Sequence, residues 1–567
     1  MQAHLQGIKV LVLGLGDSGL AMCAWCRRYG ADVSAWDSRA APPQLEKLQA
    51  ELPEVAFFHG ELPESALAGV QLVLKSPGLS PLDARLAPLL NLARATGIPV
   101  QGELDLFARA LADLKAERRY APDVLAITGT NGKTTTTCMT GLLVERCGKR
   151  VAMAGNIGPS MLTTLALAID QEPPPQDEPP AVAAEVAADA ADDEQAPATS
   201  VLEEVEALLD EAPLPIKPPP PKGPVFEHLP EVWVLELSSF QLDEVKGFEP
   251  TAGAVLNLTQ DHLDWHGDMV AYGRAKARIF GEHGVLVINR DDPLVEAMVP
   301  APVPVKQGRG RPTKMVGRKV VRFGLEAPTK PGDFGLVEEA GMAWLVRARE
   351  ADETLKRKPG DDEDDEIIIQ RLMPADALRV RGRHNAANAL AALALATAAG
   401  CPLAPMLHGL REYRGEPHRV EHVALIDGVD FYDDSKGTNV GATVAAINGL
   451  GADRAPSKLV LILGGDGKGQ DFSPLREGVM RHARAIALIG RDGPQIEAAL
   501  ADVHLPIASH GTLEAAVQWC VAQAHSGDSV LLSPACASLD MFRNYAHRAE
   551  VFIAAVQDIA NERGLPL

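Results

Sequence analysis

A chain of 567 residues, 46% hydrophobic and 23% charged, is longer than one hydrophobic core supports, so several α/β-sized domains are expected and three are read below. A net charge of -22 argues against a nucleic-acid partner, which would need a surplus of Lys and Arg, although 14 of the acidic residues fall in 170–212 alone. The seven scattered cysteines make no disulfide framework, and neither a secretory leader nor a run of ~20 apolar residues is present, so a cytoplasmic protein without a membrane partner is expected.

Residues 8–13 are a β-branched apolar run entering Gly14-Leu-Gly16-Asp17-Ser18-Gly19; 20–29 read as a helix and 32–36 as a second strand, which makes a βαβ unit. Apolar runs at 72–74 and 98–100 continue the alternation, so residues 1–120 are expected to form a small parallel sheet covered by helices. Gly14-x-Gly16-x-x-Gly19 followed by Asp37 has the spacing of a dinucleotide fingerprint, a weak signal alone. Cys23 and Cys26 form a CxxC pair in the first helix, read as small half-buried residues because no second Cys pair or His cluster is near.

A second unit, 121–415, opens on a buried-strand pattern at 124–127 that runs into Gly129-Thr130-Asn131-Gly132-Lys133-Thr134-Thr135 and a helix to about residue 146. Glycines between strand and helix let backbone N–H groups approach phosphate oxygens, and a Lys before a hydroxyl residue supplies a point charge and a Mg2+ ligand. Ile127 stands where the eight-residue phosphate-loop consensus has its first Gly. Strands at 232–237, 254–258 and 285–288 extend the unit; Glu236, at the end of the first, is a candidate Mg2+ carboxylate, and His262 follows the second. Taken singly, Glu236 also reads as a solvated strand end and His262 as a surface residue. A third unit, 416–567, has strands near 459–463, 485–489 and 529–532. Stretches at about 171–223, 306–319 and 352–366 are Pro-, Ala- or charge-rich and read as solvated insertions; within the first, 201–209 has the pattern of a short amphipathic helix.

The order of these segments carries more than each alone. The phosphate loop is followed by Gly155-Asn156-Ile-Gly158, Leu235-Glu236-Leu-Ser-Ser-Phe-Gln241, Asn257-Leu-Thr-Gln-Asp261-His262 and Tyr272-Gly-Arg-Ala-Lys276. Then come Gly382-Arg-His384-Asn385-Ala-Ala-Asn388, Pro417-His418-Arg419, Asp433-Asp434-Ser435-Lys436-Gly437-Thr438-Asn439, Gly464-Gly-Asp-Gly-Lys468 and Leu532-Ser533-Pro-Ala-Cys-Ala-Ser538-Leu539-Asp540. This series resembles the Mur ligases over nearly the whole chain outside the insertions. The resemblance implies an α/β protein of three domains: a Rossmann-like UDP-binding domain, a central P-loop-type ATPase domain and a C-terminal Rossmann-like domain. It implies ATP-dependent amide formation through an acyl phosphate, in the cytoplasmic stage of peptidoglycan synthesis, by a monomer.

The same resemblance implies roles. Gly129, Thr130, Asn131, Gly132, Lys133, Thr134 and Thr135 would cradle the ATP phosphates, with Asn388, Arg419 and Asp434 on its adenine, phosphates and ribose. Thr134 and Glu236 would hold one Mg2+ and His262 a second, supported by Lys276 carbamylated by CO2; Lys133, Glu236, His262 and Lys276 would be the catalytic set. Gly16, Asp17, Ser18, Asp37, Ser38, Ser76, Pro77, Gly78 and Asn156 would bind a UDP-sugar, UDP being favoured over NAD. Lys436, Thr438, Lys468, Ser538, Leu539 and Tyr545 match the version of the C-terminal boxes that takes D-glutamate, with UDP-N-acetylmuramoyl-L-alanine as the other substrate; Gly437 and Tyr545 stand where Ala and Phe are expected.

Overall fold

A computed structural model describes residues 3–173, 225–306, 313–351, 367–380 and 382–565. Most of the first expected insertion, including 201–209, all of the third and the middle of the second lie outside the described residues.

The first sheet holds β1 (Lys9–Leu13), β2 (Asp32–Asp37), β3 (Ala56–His59), β4 (Leu72–Lys75) and β5 (Val100–Gln101) in the order β3-β2-β1-β4-β5, all parallel. Val10 to Leu13 are all buried, because helices cover both faces, and this is why β1 is a continuous apolar run rather than an alternation. The helix Asp17–Arg28 starts within the Gly-rich turn, earlier than the apolar pattern suggested. Cys23 and Cys26 are fully buried on it, and burial pushes the Cys26 thiol up to about 12, so both behave as packing residues.

The central sheet has nine strands: β6 (Asp123–Thr128), β7 (Val151–Gly155), β8 (Val232–Glu236), β9 (Ala252–Val255), β10 (Val285–Asn289), β13 (Val320–Phe323), β14 (Phe334–Glu339), β15 (Met342–Glu350) and β16 (Ile367–Pro374). Their order is β16-β15-β14-β13-β10-β9-β6-β8-β7, parallel except for the antiparallel meander β14 to β16. The sequence reading ended this sheet at β10. The basic stretch at 306–319 differs from a plain insertion: β12 (Thr313–Val316) pairs antiparallel with β11 (Val303–Lys306), and Val303, Val305, Met315 and Val316 on these strands are solvent-exposed. The third sheet holds β17 (Glu421–Ile426), β18 (Val429–Asp433), β19 (Leu459–Gly464), β20 (Ala483–Ile489), β21 (Ile507–Ser509) and β22 (Ser529–Leu532) in the order β17-β18-β22-β19-β20-β21, with only β17 antiparallel.

The first two sheets share a continuous core. Helix Glu103–Arg118 lies between them, Phe107 meets Trp233 edge-on at 4.9 Å, and Trp233 Nε1 donates to the Tyr120 hydroxyl at 2.9 Å. On the other face of the central sheet, helix Arg383–Ala398 packs against helix Lys133–Arg146; from Ala389 to Ala396 every residue is buried, as expected for a helix that is apolar all round. In each sheet the motif-bearing loops leave the carboxyl ends of parallel strands, the place where open α/β sheets bind ligands.

Candidate active site

Between the first two sheets lies a cavity of about 810 Å³. Gly16, Asp17 and Ser18 border it from the turn after β1, Asp37 from the end of β2, Ser76, Pro77 and Gly78 from the loop after β4, and Asn156 from the loop after β7. Ser38 is half-buried and is not among its walls. Gly19 admits no side chain: a Cβ there would sit 1.9 Å from the Gly14 carbonyl, so the turn stays tight enough for its backbone to meet a ligand. Asp37 is buried; it accepts from Leu15 N at 2.9 Å and from the Arg39 guanidinium at 2.9 Å, and these bonds hold its carboxyl at about 2 despite burial.

The phosphate loop runs from β6 into helix Lys133–Arg146. Gly129 and Gly132 have positive φ, and a Cβ on Gly132 would meet Asn388 Oδ1 at 2.6 Å. Lys133 is turned onto the loop itself, donating to the carbonyls of Gly129 at 3.0 Å and Thr130 at 2.9 Å. Asn257 clamps the loop from the neighbouring strand end, accepting from Asn131 N at 2.8 Å and donating to Asn131 O at 3.1 Å. Thr135 borders a narrow cleft with Asn131, Gly132, Asn388, Arg419 and Asp434, so residues expected on the nucleotide, drawn from two domains, face one space; Lys436, expected on D-glutamate, lines it as well.

Glu236 is buried at the end of β8. Its Oε1 accepts from Asn156 Nδ2 at 2.7 Å, and its Oε2 is buried with no hydrogen-bond partner. Asn156, one of the cavity walls, therefore joins the cavity to this carboxylate. A buried carboxyl oxygen without a donor, in a neighbourhood of cations, suits a divalent metal. Burial lowers the pKa of Lys133; Glu236 opposes that shift, and Arg419 adds to it. Thr134 Oγ1 accepts from Arg419 Nη2 at 2.6 Å, so an arginine of the third domain already reaches the hydroxyl expected on Mg2+. Together, a carboxylate with one partnerless oxygen and surplus positive charge fit Mg2+ and phosphate groups.

Lys276 is almost fully buried on helix Met269–Ala277; it donates to Gly129 O at 2.8 Å and lies 4.7 Å from the Tyr272 ring centroid. Burial first and the Lys133 charge second push its pKa well below the ordinary lysine value. His262 adopts a left-handed backbone, φ 53°, with its ring edge-on to Phe240 at 4.7 Å. Burial lowers its pKa; Asp261 opposes this, while Lys133, Lys276 and Lys468 add to it, so the imidazole stays neutral and able to ligate.

On the third domain, Lys436 Nζ stands 3.9 Å from the Tyr545 ring centroid, with Thr438 two residues on. A backbone bridge, Asp466 N to Ala537 O at 2.9 Å and Ala537 N to Asp466 O at 2.8 Å, joins the segments that carry Lys468 and Ser538. Leu539 and Lys468 are exposed, whereas Ser538 is buried. Several organising residues were not singled out from sequence. Arg548, fully buried, donates to Cys536 O at 3.2 Å and Ser435 O at 2.8 Å, tying the two boxes together. Ser533 donates to Asp434 Oδ2 at 2.6 Å, and Asn439 donates to Asn131 Oδ1 at 3.0 Å across the domain boundary. Burial raises Asp434 to about 7.

Three α/β domains that converge on a phosphate loop, a buried carboxylate with one partnerless oxygen and a buried lysine define a nucleotide-dependent ligase architecture, and the chain belongs to the Mur ligase family. Its residues 8–102 match the Mur ligase MurD-like N-terminal domain, 127–199 and 226–306 the Mur ligase middle domain, and 418–536 the Mur ligase glutamate ligase domain. Proteins named UDP-N-acetylmuramoylalanine--D-glutamate ligase resemble it along almost their whole length. That of Albidiferax ferrireducens is 54% identical, covering 99% of this chain and 98% of the relative; that of Burkholderia mallei is 52% identical, covering 98% of each. Among solved structures, the fold matches UDP-N-acetylmuramate-alanine ligase from Thermotoga maritima at 17% identity and TM-score 0.51, covering 97% of this chain and 99% of that one. MurF ligase from the same organism, in complex with ADP, matches at 15% identity and TM-score 0.51, covering 99% and 100%.

Proposed function

We propose that the chain joins D-glutamate to UDP-N-acetylmuramoyl-L-alanine with ATP, as a cytoplasmic monomer in peptidoglycan synthesis. The observation that carries this is the meeting of two domains at one phosphate site: Arg419 reaches Thr134, and Asn439 reaches Asn131, beside the partnerless oxygen of Glu236. In this reading the 810 Å³ cavity takes the nucleotide sugar and the cleft around Asn388 and Asp434 takes ATP. Lys436, Thr438, Lys468, Ser538, Leu539 and Tyr545 form the D-glutamate site, whose cations and hydroxyls suit two carboxylates.

The L-alanyl carboxylate attacks the γ-phosphorus, the bond to the ADP oxygen breaks, and an acyl phosphate forms. Lys133 leaves the loop carbonyls for the phosphate oxygens, and Arg419 and Lys436 balance the charge spread over the transferring group. Mg2+ held by Thr134 and Glu236, with a second ion near His262, supplies further charge neutralisation when bound. The neutral D-glutamate amine then attacks the acyl carbon; phosphate leaves, and the amine proton passes to solvent or phosphate. The lowered pKa of buried Lys276 favours the free electron pair that adds to CO2 with loss of one proton; the resulting carbamate puts a negative group beside His262 and Lys133 in place of the lysine amine. Hydroxylamine in place of D-glutamate should trap the acyl phosphate as a hydroxamate of the nucleotide-sugar peptide. ADP formation without hydroxamate would contradict the intermediate.

A further inference from the structure

Lys75 ends the apolar strand β4 and is a partly buried cation that the mechanism above does not use. Its Nζ donates to Leu79 O at 2.9 Å, so the side chain closes the loop 76–79 on itself. That loop is a wall of the large cavity, and Ser76 Oγ fixes its start by donating to Gly14 O at 2.9 Å. The same Nζ lies over the Trp265 ring of the central domain, 5.3 Å from its centroid, inside the ~6 Å at which a cation is attracted to an indole face. One ammonium therefore touches both the cavity wall and an aromatic ring of the next domain.

Trp265 belongs to the short helix Leu263–His266, whose N-cap is His262. It is 8% exposed, and its Nε1 has no hydrogen-bond partner among the described residues, so packing and ring contacts orient it. They include Phe240 at 4.8 Å, His266 at 4.6 Å and the Lys75 charge. Phe240 in turn meets the His262 ring at 4.7 Å. Contacts thus run without a gap from Leu79 through Lys75, Trp265 and Phe240 to His262. Lys75 and Phe240 also border one small space with Pro77 and Gln241, and those two wall the large cavity as well. Burial lowers Lys75 to about 8; Asp243 and Glu244 oppose that shift and Arg94 adds to it, so the amine keeps its proton at neutral pH.

We propose that Lys75 is a positioning residue that couples the nucleotide-sugar wall to His262: the ligand seats the 76–79 loop, the Leu79 carbonyl places the ammonium, and the ammonium sets Trp265 and, through Phe240, the imidazole. A chain of packed side chains is a physical route by which one site biases another. The proposal rests on the reading of the cavity as the nucleotide-sugar site.

The test uses the full-length chain with UDP-N-acetylmuramoyl-L-alanine as ligand. In metal-free buffer, binding to wild type should change the tryptophan emission. Trp265→Phe and Lys75→Met should each remove that change, while calorimetry still records binding. In turnover with ATP and D-glutamate, Lys75→Met should raise KM for the nucleotide sugar and the Mg2+ concentration for half-maximal activity together, each about tenfold, the size of a desolvated cation–π contact. KM for ATP should not move. Lys75→Arg should behave as wild type, since a guanidinium also stacks on an indole and donates to a carbonyl. The proposal is overturned if wild-type emission ignores binding or if the change survives in Lys75→Met. It is equally overturned if Lys75→Met does not shift KM and the Mg2+ dependence together, or if Lys75→Arg matches Lys75→Met; in all these cases the reading of the cavity stands. If the nucleotide sugar does not bind wild type, that reading falls and the proposal with it.

Discussion

A buried ammonium is among the costliest groups a protein can carry, and Lys276 shows what that cost yields. Its pKa lies well below 10.5 in the fold, so between those two values the unfolded chain binds a proton that the folded chain does not. Stability therefore falls as pH drops through that window and is recovered only above it. Lys276→Met, in buffer free of CO2, should melt higher than wild type near pH 7, and the gain should vanish above about pH 10.5; an equal melting temperature at pH 7 would contradict the depressed pKa. The same variant should lose most activity, at least about 100-fold if it removes a transition-state charge, and a small carboxylic acid should restore part of it. The placement of Lys133 and Thr134 at a loop-to-helix turn, and of Glu236 at a strand end, was legible in sequence because each follows a short apolar run. Ser533 on Asp434 and Arg548 on Ser435 were not, since each contact joins residues about a hundred positions apart and no local pattern encodes it.

Among elements, the parallel strands β1, β6, β8 and β19 were legible because burial on both faces makes them continuous apolar runs followed by glycine or acidic turns. The meander β14 to β16 was not: β15 mixes exposed and buried positions around a bulge between Leu345 and Val346, and its partner β16 lies across residues 352–366. β7 was missed as a strand although its terminal Gly155 belongs to a motif. That glycine has φ 107°, and a Cβ on it would stand 2.3 Å from the Glu236 carbonyl, where the two strands end side by side. Gly155→Ala should destabilise the fold by about 1–3 kcal/mol and, by moving Asn156 off Glu236, should raise the Mg2+ concentration needed for half-maximal activity. Unchanged melting and Mg2+ dependence would show that the approach of β7 to β8 is not what sets the carboxylate.

At the scale of the whole molecule, the described residues on either side of 174–224 lie against each other. The Glu172 carboxylate accepts from the backbone N–H groups of Glu227 at 2.7 Å, His228 at 2.8 Å and Leu229 at 2.9 Å, so the two ends are already held together. Replacing 174–224 by a short Gly-Ser linker should leave kcat and every KM within about twofold, because closing a loop between adjacent ends changes free energy only slowly with its length. A large loss of activity would give that stretch a direct part in the reaction. The three domains were legible from the alternation of strands and Gly-rich turns; that the third domain reaches the phosphate loop through Arg419 and Asn439 was not, because it depends on how the domains sit together.

The central claim is that these domains bring a nucleotide-sugar peptide, ATP and D-glutamate to one phosphate site. Its most direct test is phosphate release by the full-length chain with Mg2+ and ATP. Release should require UDP-N-acetylmuramoyl-L-alanine and D-glutamate together and should stop in Lys133→Ala. Release that ignores D-glutamate, or that another amino acid supports while D-glutamate does not, would contradict the account.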